Sequence, residues 1–211
     1  MMGRYATGSG HKDEFKQVSK GSHVVRCYQI IDLGWQKTGF QNDKGEEKVS
    51  PQIFMNFEVP GEEIEIDGIK KPMTIGKFYT NSLHEKSNLR QDLESWGFDI
   101  EDDPQTGMPF PFDLAQCLER PGLASVTEKN GKNRIASISA LPKGMECPAQ
   151  FNETVQFWLD EPNWDMFETL PEWFQNKIKE SKDYEKARRK EHDPMPSLGD
   201  DIPWNDKKIP F

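Results

Sequence analysis

Hydrophobic and polar positions first alternate between Ser22 and Trp35, in SHVVRCYQIIDLGW. Val25, Cys27, Gln29, Ile31, Leu33 and Trp35 fall on one side of an extended chain; Val24, Arg26, Tyr28, Ile30 and Asp32 fall on the other. The first set is the more apolar and is assigned to a core, which leaves Arg26 and Tyr28 displayed. A second run, Gln52 to Val59, places Ile53, Met55, Phe57 and Val59 on an apolar face and Phe54, Asn56 and Glu58 opposite them. The polar stretch Gln36 to Ser50 joins the two, so they read as a long hairpin. Pro60 to Lys71 is expected as an acidic connection. Met73 to Thr80 is a third strand, in which Gly76 marks a bulge or a close approach and blurs the assignment of faces.

The period then changes. Between Asn81 and Trp96, Leu89, Leu93 and Trp96 recur at helical spacing, Ser82 and Glu85 have the form of a capping box, and Gly97 is a stop. Phe112 to Leu118 reads as a short second helix. Gly122 to Thr127 and Arg134 to Leu141 are strands joined by Glu128 to Asn133, whose Asn130-Gly131 is a strong hairpin signal. Thr154 to Leu159 is an added strand, and Pro162 to Leu170 is irregular or loosely helical. Pro171 to Arg189 is a helix with Leu170, Trp173, Phe174, Ile178 and Tyr184 as packing residues. Three strands, a helix and two strands make a mainly β protein with added helices (α+β). This is the order of a five-stranded oligonucleotide-binding (OB) barrel with its helix between strands three and four, here with a C-terminal helical extension. The order is not unique to that fold. In such barrels the loops that close over nucleic acid would be Gln36–Ser50 and Glu128–Asn133.

Composition sharpens this picture in two places. The 211 residues are 34% hydrophobic and 30% charged, with 13 Phe and 6 Trp, so the burial is largely aromatic. Net charge is −9, which opposes a uniformly basic nucleic-acid binder. Local charge decides phosphate binding, however. Gly97 to Glu119 carries acids and no Lys or Arg, whereas Lys129 to Arg134 holds three cations and no acid. Cys27, Cys117 and Cys147 are scattered and suggest neither a disulfide framework nor a zinc site. No run is long enough for a membrane span and the first residues lack a signal-peptide core, so no membrane role and a reducing cytoplasm are expected. Residues 1–20 read as a flexible arm, 21–185 as the folded domain and 186–211 as a flexible tail.

That tail carries Asp200-Asp201-Ile202-Pro203-Trp204 and ends Ile209-Pro210-Phe211. Acidic groups beside an apolar anchor suit a basic-rimmed apolar pocket on a partner. The pattern resembles the C-terminal tip of bacterial single-stranded DNA-binding proteins, although Lys207-Lys208 rather than acids precede the final Ile-Pro-Phe. The body resembles phage-encoded single-stranded DNA-binding proteins over about residues 22–185. The residues that carry this likeness are Val25 to Gly34, Phe78 to Arg90 and the helix start Leu170-Pro171-Glu172-Trp173. The resemblance implies an OB fold, sequence-independent binding of single-stranded DNA and a role in phage replication or recombination, in the host cytoplasm. The tip would then recruit replication or recombination proteins. A homo-oligomer is left open.

Holding single strands requires aromatic faces for bases and cations along the backbone path. The stacking candidates are Tyr28, Phe54 and Tyr79, each weighed about evenly against a packing role; Trp35 is a weaker one. The cation candidates are Arg26, Lys77, Lys129, Lys132 and Arg134. Lys86 and Arg90 are expected to do no more than pair with Glu85 or Glu94. Catalytic function finds little support, since the four histidines lack metal-ligand spacing and no phosphate-cradling or nucleophile motif is present. No cofactor or metal is expected. A protein-interaction adaptor on the same barrel is the alternative favoured by the acidic charge. A nuclease holding Mg²⁺ on the acid runs Glu62–Glu65 or Asp99–Asp103 ranks below both.

Overall fold

Alternation in the first eighty residues produces three long strands. A computed structural model of the protein describes residues 16–41 and 43–192, and these contain β1 (Gly21–Gln41), β2 (Glu47–Ile66) and β3 (Ile69–Thr80). Then follow α1 (Asn88–Ser95), a single 3₁₀ turn (Leu114–Cys117), β4 (Pro121–Lys129), β5 (Lys132–Ser139) and β6 (Val155–Phe157). Three helices close the sequence of elements: α2 (Trp164–Thr169), α3 (Glu172–Lys179) and α4 (Tyr184–His192). The strands form one open, mainly antiparallel sheet in the order β3-β2-β1-β4-β5, with β6 also paired to β1.

The strands are longer than expected. The supposed loop Gln36–Ser50 is mostly strand, because its polar arms bond to each other: Thr38 Oγ1 donates to the Lys48 carbonyl at 3.0 Å, and Lys37 meets Glu47 at 2.9 Å. A strand with both faces in solvent shows no apolar alternation to read. Pro60–Lys71 is likewise strand on either side of a two-residue turn. There Asp67 and Gly68 both adopt positive φ, 53° and 77°, the geometry of a tight hairpin.

The described residues divide into two compact units, each drawing on separated stretches of chain. The first takes in the described parts of 1–29, with 55–77 and 83–154. Its core holds Val25, Cys27, Phe57, Val59, Leu89, Leu93, Trp96, Ala124, Val126 and Ile138, all buried. The expected stripe of Leu89, Leu93 and Trp96 is therefore the inner face of α1. Trp96 donates its indole N–H to the Pro121 carbonyl at 2.8 Å, which gives its polar end a partner inside the core. The helix begins later than expected: the cap is Ser87, whose hydroxyl accepts from the Arg90 amide at 3.2 Å, and not Ser82.

β3 and β5 are not hydrogen-bonded neighbours in the sheet. Lys77 of β3 bridges to β5 instead. Its ammonium meets Asp92 of α1 at 2.6 Å and the Ala136 carbonyl of β5 at 2.8 Å, and Asp92 accepts the Ile138 amide at 3.3 Å.

The second unit takes in 30–54, 78–82 and the described residues from 155 on. Ile31, Leu33 and Phe54 from the strands pack with Phe157, Leu159, Phe167, Leu170, Phe174 and Ile178. Pro162–Leu170 is partly an ordered helix, α2, capped by the Asn163 side chain. The single helix expected over Pro171–Arg189 is two, α3 and α4, broken around Ser181. Ser181 is buried against Gly34, where a β-carbon would lie 2.2 Å from the serine oxygen.

Candidate nucleic-acid interface

The β4–β5 hairpin turns on Asn130 and Gly131, both at positive φ, 55° and 73°, as the Asn-Gly dipeptide predicts. Its register pairs Lys129 with Lys132 and Thr127 with Arg134. Ala124, Val126, Ile135 and Ile138 point into the core, so alternation sets Ser125, Thr127 and Lys129 on the outward face. Across from them stand Ser137, Arg134 and Lys132. Three expected cations thus share one exposed face with three hydroxyls. None of the three has an ion-pair partner among the described residues. Glu128 projects from the other face and is held by Lys20 at 3.0 Å. Residues 16–20, expected within a flexible arm, brace the turn: Gln17 bonds the Gly131 carbonyl and the Asn133 amide, and the Asn133 side chain donates to Val18.

Arg26 and Tyr28 lie on the outward side of β1, as alternation predicts, but both are engaged. Arg26 donates to the carbonyls of Glu119 (2.6 Å), Pro148 (2.8 Å) and Cys147 (3.3 Å). Glu58 on β2 is wholly buried and accepts from the amides of Phe151 and Asn152 and from the Asn152 side chain, at 2.8–3.2 Å. Between them these two charges pin the segment 147–152. Tyr28 is half-buried, its hydroxyl bonded by Asn56 at 2.7 Å and by Thr74. Burial raises this phenol above its ordinary pKa, so it is neutral at physiological pH.

The remaining expected residues sit differently. Lys77 is the buried bridge described above, its side chain only 13% exposed. Phe54 and Tyr79 are 7% and 3% exposed and offer no ring face to a base. Phe54 is covered because α3 lays Phe174 and Trp173 against it, at centroid distances of 5.2 and 5.6 Å. The rings that do emerge are their neighbours. Phe78 is 52% exposed and Trp173 48%, although Trp173 was expected to pack. Phe78 contacts Phe54 at 4.7 Å, and Trp173 stacks on Phe174 at 3.6 Å. Trp35 is also partly exposed. The tail residues Asp200, Asp201, Ile202, Pro203, Trp204, Ile209, Pro210 and Phe211 lie outside the described residues.

Arg90 goes beyond the pairing expected of it. It binds Glu94 at 2.7 Å and grips Asp102 with two bonds, 2.7 and 3.0 Å. Among the described residues no group of three His, Cys, Asp or Glu side chains is placed to hold a metal ion. Burial pushes the Cys27 thiol well up and that of Cys117 to about 12, so both are neutral and poor nucleophiles. No helix among the described residues is long and apolar enough to cross a membrane.

Comparison with protein-family models and with curated proteins returned no match.

Proposed function

We propose that this chain binds single-stranded DNA without reading its sequence, and that it coats strands during phage DNA replication or recombination. One observation carries the reading. In a chain of net charge −9, Lys129, Lys132 and Arg134 gather on one exposed hairpin face with no acid beside them. Phosphate binding depends on such a local field and not on the total charge. The three hydroxyls on that face are further donors for phosphate oxygens. The order β3-β2-β1-β4-β5, with α1 falling between β3 and β4, supports an OB-type barrel in which Lys77 and Asp92 stand where β3 and β5 would pair. On this reading the hairpin is the loop that closes over the strand. The Ile-Pro-Trp and Ile-Pro-Phe units of the tail recruit replication or recombination enzymes.

Oligo-dT titration at low salt, against duplex of equal length, tests the proposal. Preferential binding of the single strand, weakening as salt rises, is expected. A Lys129→Ser/Lys132→Ser/Arg134→Ser variant should lower the steepness of log K against log salt by about 2, the share of three phosphate contacts on a single strand. Absence of binding by the wild-type chain at low salt overturns the proposal and leaves the protein-only adaptor. Truncation after Leu198 should leave DNA affinity intact or raise it.

A further inference from the structure

Resting on that reading, we infer that Phe78 and Trp173 form a stacking platform for the bases of the bound strand. Four other large rings of this unit, Phe54, Phe157, Phe167 and Phe174, are packed away, all under 8% exposed, while Trp35 and Phe40 on β1 are also exposed. Phe78 and Trp173 are about half exposed, yet both are fixed. Phe54 lies beneath them, tilted 60° to Phe78 and edge-on at 86° to Trp173. Phe174 stacks on the Trp173 indole, 3.6 Å away at 27°, and the indole nonetheless keeps about half of its surface open to a ligand. A ring already held in place loses little entropy when a base stacks on it.

The chemistry around the rings favours a polyanion with flat apolar parts. The Asn81 amide bonds the Pro51 carbonyl at 2.8 Å. This pairing sets Gln52 across from Thr80 and Phe54 across from Phe78, so the four share one face of β2 and β3. Farther along that face of β2 is Lys48, exposed and without an ion-pair partner among the described residues. No acid occurs from Lys48 to Asn56 or from Met73 to His84, in a chain holding 36 of them. On α3, Lys177 stands one turn from Trp173 and is paired with Glu180 at 3.2 Å, and the exposed Glu172 is the nearest acid in sequence. An acid-free strand face flanking two fixed aromatic rings suits bases between phosphates.

The test measures binding of two labelled strands of equal length, oligo-dT and the same strand with abasic residues. The proteins are the wild-type chain and a Phe78→Leu/Trp173→Leu variant. Leucine keeps apolar packing on Phe54 and Phe174 but removes both rings. Wild-type should prefer oligo-dT, and the double variant should lose affinity for it about tenfold or more per ring. Its affinity for the abasic strand and its salt slope should stay unchanged, because stacking releases no counterions. A Phe78→Tyr/Trp173→Phe variant should retain the preference. A wild-type chain that binds both strands equally overturns the platform alone. So does a leucine variant that keeps the preference, as it would if the rings dock a partner's apolar side chains. Equal loss on both strands assigns the rings a structural role and also overturns it. A wild-type chain that binds neither strand removes the single-strand reading and the platform together.

Discussion

On the β4–β5 hairpin, Lys129, Lys132 and Arg134 stand exposed with no acid on their face. Around α1, Lys77 and Arg90 are about nine-tenths buried and saturated by Asp92, Glu94, Asp102 and three carbonyls. Lys77 and the hairpin cations look alike in sequence as lone charges on strands, and only their surroundings separate them. A cation that already holds a carboxylate in a poorly solvated place has no charge left for phosphate, and its removal strands the partner. An exposed, unpaired cation adds little to stability and is free for a ligand. Arg26 belongs with the engaged cations around α1 although it faces outward, since three carbonyls use its guanidinium.

The largest effect should come from breaking the buried side of this contrast. Lys77→Met leaves Asp92, itself 7% exposed, without its counter-charge. The expected loss is about 3–5 kcal/mol in urea unfolding. Lys77→Met/Asp92→Leu should recover part of it, because the buried charge is gone while the Ala136 carbonyl and Ile138 amide lose partners. A single variant as stable as wild type would mean that the pair does not hold β3 to β5.

A smaller effect is expected at Asp102. The bonds from Arg90 hold its carboxyl below the usual range. A depressed folded pKa contributes stability above the unfolded value, about 3.9. That contribution fades as pH falls through the lower folded value. Asp102→Asn should therefore flatten the acid limb of the stability profile below about pH 4. An unchanged limb would show that this contact contributes nothing to acid sensitivity. Asp32 has the opposite sign: burial raises its carboxyl, so its stability contribution is present at low pH and declines as pH rises.

Wherever one periodic pattern had one packed face, the sequence was informative. The alternation of Val25 and Cys27, the stripe of Leu89, Leu93 and Trp96, and the Asn130-Gly131 turn all sit as the pattern predicts. Legibility failed where a face is covered by residues far along the chain. Phe54 stands opposite an apolar stripe and so looks displayed, but α3, about 120 residues later, buries it. On β3 the alternation runs through Gly76, but the covered side of Met73, Ile75 and Tyr79 also takes Lys77, so the exposed ring is Phe78 rather than its neighbour Tyr79. The start of α1 was hidden because two serines compete for the cap. Residues 84–87 form a turn, with the Ser87 amide donating to the His84 carbonyl at 2.7 Å, and this makes Ser87 the cap.

The smallest expected effect sharpens the comparison most. If the hairpin cations are held for a ligand, the Lys129→Ser/Lys132→Ser/Arg134→Ser chain should unfold within about 0.5 kcal/mol of wild type, as exposed sites without partners do. The fold of the hairpin depends on Asn130-Gly131, on Ala124, Val126, Ile135 and Ile138, and on the Gln17 and Val18 brace, none of which the variant alters. Relief of repulsion between the paired Lys129 and Lys132 could even leave it slightly more stable. Urea unfolding at low salt is the measurement. A loss of 2 kcal/mol or more would place these cations with Lys77 and Arg90 as structural groups, and the phosphate face would lose its support. Stability unchanged beside a shallower salt slope is the combination that only a ligand-facing role produces.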